Sequence, residues 1–318
     1  MKLLISRPLP DAVLAPARKA FELTVRDSTA PMTRTEMTEA LSTQDIILPT
    51  LGDAFSADIF AAVPAPRARL LANFGVGYNH IDVAAARAAG VTVTNTPGAV
   101  TDATADIALT LMLMSARRAG EGERLVRAGQ WKGWHPTQML GLHMSGKVLG
   151  VVGMGRIGQA IAKRAHFGFS MEVVYHTRTP RALPGLPQAR ALPGLHEVME
   201  AADIVVIAAP ASPATRHMID AAALAAMRPH AHLVNIARGD IIDEAALIKA
   251  LEAGRIAGAG LDVYEHEPEV PAALRALDNV VLLPHLGTAA LEVRVEMGLM
   301  ALDNALALRD GRPLPNPV

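Results

Sequence analysis

The stretch Val148-Leu149-Gly150-Val151-Val152-Gly153-Met154-Gly155-Arg156-Ile157-Gly158 constrains this chain more than any other. It reads as a buried apolar strand, then G-x-G-x-x-G, then a helix from Gln159 to Phe167. In that setting each glycine has a task. The first turns the chain tightly off the strand. The second lets backbone approach a pyrophosphate, and the third lets helix and strand pack. The helix N-terminus adds unpaired N–H groups and a partial positive charge. Dinucleotide binding at Gly153, Gly155, Arg156, Ile157 and Gly158 is the expectation.

Strands and helices alternate along the rest of the chain. Apolar runs at Leu3–Ile5, Ile46–Leu48, Leu70–Asn73 and Val91–Thr94 read as strands in the first third. Val148–Val152, Glu172–Tyr175, Asp203–Ala208, Leu233–Ile236, Gly260–Val263 and Val280–Leu283 follow. Helical patterns such as Asp11–Phe21 and Ile81–Ala89 lie between the early strands. Short apolar strands spaced by helices predict parallel sheets covered on both faces. Arg181–Pro193, rich in Pro, Leu and Ala, reads as a surface loop.

The glycine loop lies so far into the chain that another domain precedes it. The helix Thr101–Arg118 is apolar nearly all round over Ile107–Met114, which predicts burial, with Met112 and Met114 in the core. A last helix, Ala289–Leu308, is placed to carry the C-terminus back to the first domain. The expected organisation is a discontinuous substrate domain, 1–97 with 287–318, around a dinucleotide-binding domain, 98–286. The site is expected in the cleft between them.

Composition narrows the function. The 318 residues suffice for two cores, and 51% hydrophobic against 19% charged content describes a globular chain. A formal net charge of −1 makes no electrostatic case for nucleic acid or anionic membrane. With no cysteine, disulfides, thiolate metal ligands and a cysteine nucleophile are excluded. Met1–Ser6 reads as a short strand rather than a signal peptide. No apolar run approaches the roughly 18 residues a membrane span needs. A cytoplasmic protein with no metal site is expected.

Three further strand ends carry charge. Asn235-Ile236-Ala237-Arg238-Gly239 ends one with arginine, and Asp262-Val263-Tyr264-Glu265-His266-Glu267-Pro268 ends another with carboxylates. Leu282-Leu283-Pro284-His285-Leu286-Gly287 ends a third with histidine. Ligands of open parallel sheets bind beyond the carboxyl ends of strands, so these groups converge by topology. Each also has a plain reading. Arg238 alone suits a surface ion pair, and His285 suits a helix cap. Glu265 rivals Glu267, and Asp262 suits cofactor binding.

These segments, with Gly75-Val76-Gly77-Tyr78-Asn79-His80-Ile81-Asp82 and Asn95-Thr96-Pro97-Gly98, carry a family likeness over nearly the whole chain. The chain resembles the D-isomer-specific 2-hydroxyacid dehydrogenases, especially their glyoxylate/hydroxypyruvate reductase branch. The resemblance implies an α/β fold of two doubly wound parallel-sheet domains, the larger a Rossmann dinucleotide-binding domain. It implies reduction of 2-oxo acids with a nicotinamide cofactor by a homodimer, with the catalytic Arg, Glu and His on Arg238, Glu267 and His285. It also assigns Thr104, Ala209, Pro210 and Thr215 to the cofactor. Ile236, Ala237, Asp262 and Gly287 join that set. Asn79 stands where the family commonly has an acid, which leaves that position's role open.

The chemistry suits these residue types. A 2-oxo acid presents a carboxylate beside a ketone, and arginine's fork binds such a planar anion and polarises the ketone oxygen. Hydride arriving at the carbonyl carbon makes an alkoxide that needs a proton, which histidine is suited to give near neutral pH. A carboxylate beside that histidine favours imidazolium and orients the ring. The Val76 and Gly77 amides suit the substrate carboxylate, although Gly75 and Gly77 also suit a plain turn. Leu51, Gly52 and the Trp134 region are candidates for the side-chain pocket. Trp131 and Trp134 lie in a polar segment. They either pack onto the neighbouring domain or, as the resemblance implies, form a dimer loop in which Trp134 approaches the other subunit's cleft.

An NAD site wants an acid about 20 residues beyond the glycines, to accept the ribose hydroxyls. At that place the chain reads Thr177-Arg178-Thr179. A 2′-phosphate meets a cation and hydroxyls there instead of a repelling carboxylate. NADPH is therefore expected, with NAD as a weaker cofactor. The resemblance also reaches the C-terminal-binding-protein corepressors, which use this fold as a cofactor-sensing module, and the phosphoglycerate dehydrogenases. The chain ends soon after its last helix, which fits a plain metabolic enzyme.

Overall fold

The computed structural model describes residues 1–179 and 183–318. Arg181 and Ala182 of the expected loop lie outside the described residues. The chain divides into two compact units, residues 1–100 with 288–318 and residues 101–287.

The smaller unit holds β1 (Lys2–Ile5), β2 (Glu22–Val25), β3 (Ile46–Leu48), β4 (Leu70–Ala72) and β5 (Thr92–Thr94). They form one parallel sheet in the order β2-β1-β3-β4-β5. β3 and β4 are apolar and fully buried, as strands covered on both faces must be. The last helix, Leu291–Arg309, belongs to this unit. It packs so closely on the helix Asp11–Ala20 that a Cβ on Gly298 would lie 2.5 Å from Val13 Cγ2.

The larger unit holds β6 (Val148–Val152), β7 (Glu172–His176), β8 (Arg190–Ala191), β9 (Ile204–Ile207), β10 (His232–Asn235), β11 (Gly258–Leu261) and β12 (Val280–Leu282). This parallel sheet runs β12-β11-β10-β9-β6-β7-β8. Strand order reverses on either side of β6, which is where doubly wound sheets open a crevice for ligands. The two doubly wound parallel sheets are those expected from the sequence.

Three details depart from expectation. β2 and β8 were not foreseen; both lie at sheet edges and lack a buried apolar run. β8 falls inside Arg181–Pro193, so that segment is not loop throughout. The helix Thr101–Ala116 packs on β10 and β11 and buries Met112, yet Leu113 is 37% exposed. Among the described residues, no helix is long and apolar enough to cross a membrane.

Candidate active site

Sheet register gathers the charged groups. Val152 pairs with Ile207, Ile207 with Asn235, Asn235 with Leu261, and Leu261 with Leu282. Five strands therefore end level. Gly153, Arg238, Glu267 and His285 follow those ends within a few residues, on one edge of the sheet.

The glycine loop joins β6 to the helix Arg156–Phe169. Gly153 takes φ +98°, and a Cβ there would lie 2.6 Å from the amide nitrogen of Ala209. A Cβ on Gly158 would collide with the Gly153 carbonyl oxygen. At Gly155 the opposite holds, for nothing lies within 4 Å of that position. The loop is thus tight against protein at its first and third glycines and open at its second, which fits a pyrophosphate approaching there. Arg156, Ile157 and Gly158 make the first turn of the helix, the end that favours anions.

Other expected cofactor residues lie at the ends of β7, β9 and β10 and at Gly287. The Gly153 N–H donates to the His176 carbonyl at 2.9 Å, which ties the loop to the end of β7. Thr177 there is half-buried, and Arg178 and Thr179 are exposed. After β9, Thr215 Oγ1 donates to the Pro210 carbonyl at 2.9 Å and closes the turn that follows Ala209. After β10, the Ala237 N–H donates to the buried Asn235 side chain at 3.0 Å, fixing the Ile236–Arg238 segment. Thr104 Oγ1 donates to the Gly287 carbonyl at 3.2 Å, so these two expected cofactor residues touch each other.

Glu267 and His285 form the central pair, with His285 Nδ1 2.8 Å from Glu267 Oε2. The Tyr264 N–H donates to the other carboxylate oxygen of Glu267 at 3.1 Å. Burial pushes the Glu267 carboxyl up. The His285 bond and charge, the Tyr264 N–H and the Arg238 charge outweigh it and hold Glu267 below its usual range. Glu265, the rival, instead meets His217 Nε2 at 2.8 Å and Arg216 Nη2 at 3.2 Å. Arg238 is half-buried, and burial lowers its affinity for its proton against the charges of Glu267 and Asp240. Its Nη1 donates to the Ala237 carbonyl at 2.7 Å. The Asn235 amide donates to its carbonyl at 2.8 Å, so the backbone beneath the guanidinium is fixed.

Asp262 has a role that sequence reading missed. Its carboxylate accepts the Leu286 N–H at 2.6 Å and the Gly287 N–H at 2.8 Å. Its carbonyl accepts the His285 N–H at 2.9 Å. Burial raises its pKa against those two amides. These bonds hold His285 at φ +55°, a region uncommon for residues other than glycine. Asp262 therefore builds the turn that presents the histidine. No sequence spacing signals this, because the acceptor and donors meet only through the pairing of β11 and β12.

In the smaller unit, Asn73 Nδ2 donates to the carbonyls of Gly75 at 3.0 Å and Gly77 at 3.1 Å. Asn95 Nδ2 donates to the Val76 carbonyl at 2.9 Å. The turn is held by its carbonyls, and Val76 is 37% exposed. The Leu51 carbonyl accepts Arg7 Nη1 at 2.5 Å, and Arg7 pairs with the buried Asp53. Trp134 is 78% exposed and Trp131 53% in the single chain. Among the described residues, no group of three His, Asp or Glu is placed to hold a metal ion.

The family model for the D-isomer specific 2-hydroxyacid dehydrogenase NAD binding domain matches residues 109–287. A glyoxylate reductase from Pyrococcus furiosus is 41% identical over 100% of this chain and 95% of its own length. A glycerate dehydrogenase from Hyphomicrobium methylovorum is 37% identical over 98% of this chain and 96% of its own. Among solved structures, an NADPH-dependent glyoxylate/hydroxypyruvate reductase from Sinorhizobium meliloti, in complex with NADP and malonate, aligns at a TM-score of 0.88. That alignment covers 100% of this chain and 96% of the other, at 35% identity. A full-length match at this level places the chain in the D-isomer-specific 2-hydroxyacid dehydrogenase family, in its glyoxylate reductase branch.

Proposed function

We propose that this chain is an NADPH-dependent reductase of small 2-oxo acids, glyoxylate and hydroxypyruvate among them, and that it makes D-2-hydroxy acids. One observation carries the reading: the His285–Glu267 pair, at 2.8 Å, stands on the sheet edge that bears the glycine loop and the half-buried Arg238. The names of the relatives, glyoxylate reductase and NADPH-dependent glyoxylate/hydroxypyruvate reductase, support the substrate class.

A bound nicotinamide cofactor supplies the hydride that adds to the ketone carbon. The chain does the rest. Arg238 binds the carboxylate and polarises the ketone oxygen through its fork. The Val76 and Gly77 amides take the carboxylate, since the carbonyls of that turn are occupied by Asn73 and Asn95. With Nδ1 committed to Glu267, His285 gives the proton from Nε2 as negative charge develops on oxygen. Glu267 keeps the ring aligned through its contact with Nδ1. Leu51 and Trp134 are assigned to the side-chain pocket, and the working form to a cytoplasmic homodimer.

Hydroxypyruvate supplies the first test, because its product is chiral. Chiral chromatography should find D-glycerate, and L-glycerate would overturn the assignment. No loss of NADPH absorbance with glyoxylate, hydroxypyruvate or phenylpyruvate would favour the cofactor-sensing module instead.

The cofactor reading rests on Thr177, Arg178 and Thr179 and on the absence of an acid in that run. Thr177→Asp combined with Arg178→Ser should shift the NADPH:NADH preference in kcat/KM toward NADH by about 10²-fold. Loss of one charge-assisted hydrogen bond, about 1.5–3 kcal/mol, is of that size. A wild type that already prefers NADH would refute this reading of the β7 end.

A further inference from the structure

Glu265 lies two residues before Glu267 and is only 13% exposed at its side chain. Its Oε1 meets His217 Nε2 at 2.8 Å and Arg216 Nη2 at 3.2 Å. Both partners come from the loop after β9, immediately past the Pro210–Thr215 turn. His217 sits there at φ +49°, and its N–H donates to the Asp240 carbonyl at 2.8 Å. Asp240 belongs to the short 3-10 turn Gly239–Ile241 that follows Arg238. Gly239 in turn lies flat on the Tyr264–Glu265 peptide, where a Cβ would overlap the Tyr264 carbonyl. On the far side, the Glu265 N–H reaches Glu244 Oε2 at 3.5 Å. Segments from β9, β10 and β11 thus close on one peptide. One peptide back, the Tyr264 N–H donates to Glu267 at 3.1 Å.

We propose that His217 and Glu265 are positioning residues, whose contact pins the turn that presents Glu267 to His285 against the loop assigned to the cofactor. The inference rests on the roles given above to Glu267 and His285. The charged groups facing Glu265 are Arg216, His217 and Glu244; those facing Glu267 are His285, Arg238 and Asp262. The Arg216 charge and the His217 ring contact therefore offset one like charge at Glu265. Without His217, Arg216 alone holds the Glu265 carboxylate beside Glu244, and the peptide moves. Glu267 moves with it, because its second oxygen hangs on the Tyr264 N–H. Misplacement of a catalytic group by about 1 Å can lower a rate by 10²-fold. Partial loosening here should lower kcat by about 10-fold.

The test uses the full chain with NADPH and glyoxylate, together with an NMR titration of the His285 ring in histidine-labelled protein. The His285 signal is assigned by its loss in His285→Ala. His217→Ala should lower kcat about 10-fold with KM for glyoxylate little changed. The alkaline limb of the rate profile and the midpoint of the His285 titration should both move to lower pH, because less carboxylate charge stays beside the ring. His217→Gln, which still donates to Glu265, should restore most of the loss. Glu265→Ala should mimic His217→Ala, and the double variant should be no worse than the poorer single, as one shared contact requires. Glu265→Ala also tests the contact if His217→Ala does not fold. A lower kcat with an unmoved limb and an unmoved titration would mean a merely structural role and would overturn the proposal. So would unchanged kcat in an active wild type. If the wild type reduces no 2-oxo acid but the His285 titration still shifts, the positioning role stands and the proposed activity falls.

Discussion

His285→Ala is expected to lose reduction by about 10²–10⁴-fold in kcat, the size of a general acid's contribution, while cofactor binding survives. Its companion variant, Glu267→Gln, separates proton supply from shape. Reduction needs the protonated ring, so its rate falls as pH rises. The bond and charge of His285 help hold Glu267 below its usual range against the upward push of burial, so a carboxylate stands beside the ring. Glutamine removes the charge and roughly keeps the shape. The alkaline fall in reduction should therefore move to lower pH. Oxidation of the hydroxy acid needs the neutral ring, and its acid limb should move the same way. Because Glu267 titrates below the ordinary carboxylate range, the pair stays intact across neutral pH in the wild type. Rate profiles of both directions, with wild type and variant side by side, provide the measurement. Profiles that stay in place would remove Glu267 from its role and leave the fold untouched.

Much of this site was legible in the sequence for a topological reason. A parallel sheet delivers all its strand ends to one edge, so a glycine loop, an arginine, a carboxylate run and a histidine at four strand ends need no further information to meet. The choice between Glu267 and Glu265 was not legible from residue type. Spacing within the family favours Glu267, and in space Glu265 is taken up by His217, a partner from a different strand end. Asp262 reads as a cofactor acid in the sequence, yet its carboxylate is spent on the amides of Leu286 and Gly287. Asn73 reads as the last residue of a strand and turns out to hold two carbonyls of the Gly75–Gly77 turn. Each of these roles depends on a return of the chain that local pattern does not encode. The edge strands β2 and β8 were missed for another reason. Burial on both faces writes an apolar run into central strands, and edges carry no such mark. Leu113 shows the converse, since an all-apolar helix records composition and not what covers it.

Arg238→Lys should lower kcat/KM for glyoxylate by on the order of 10²-fold, about the worth of one charge-assisted hydrogen bond. Lysine keeps a charge but loses the planar fork that matches a carboxylate beside a ketone. It also loses the Nη1 bond to the Ala237 carbonyl that aims the guanidinium. The cofactor dissociation constant should be nearly unchanged, because the glycine loop and the β7 end are untouched. The defect should also grow with pH. Burial already lowers the affinity of Arg238 for its proton, and an arginine starts so high that it stays charged. A lysine under the same burial starts lower and is neutralised sooner, so it stops attracting the substrate carboxylate as pH rises. The expected signature is therefore a KM for glyoxylate that climbs with pH in the variant and not in the wild type. Fluorescence titration of NADPH and steady-state kinetics across pH would read both quantities. A variant with wild-type efficiency at every pH would place Arg238 outside the site, whatever the register of β10 brings near it.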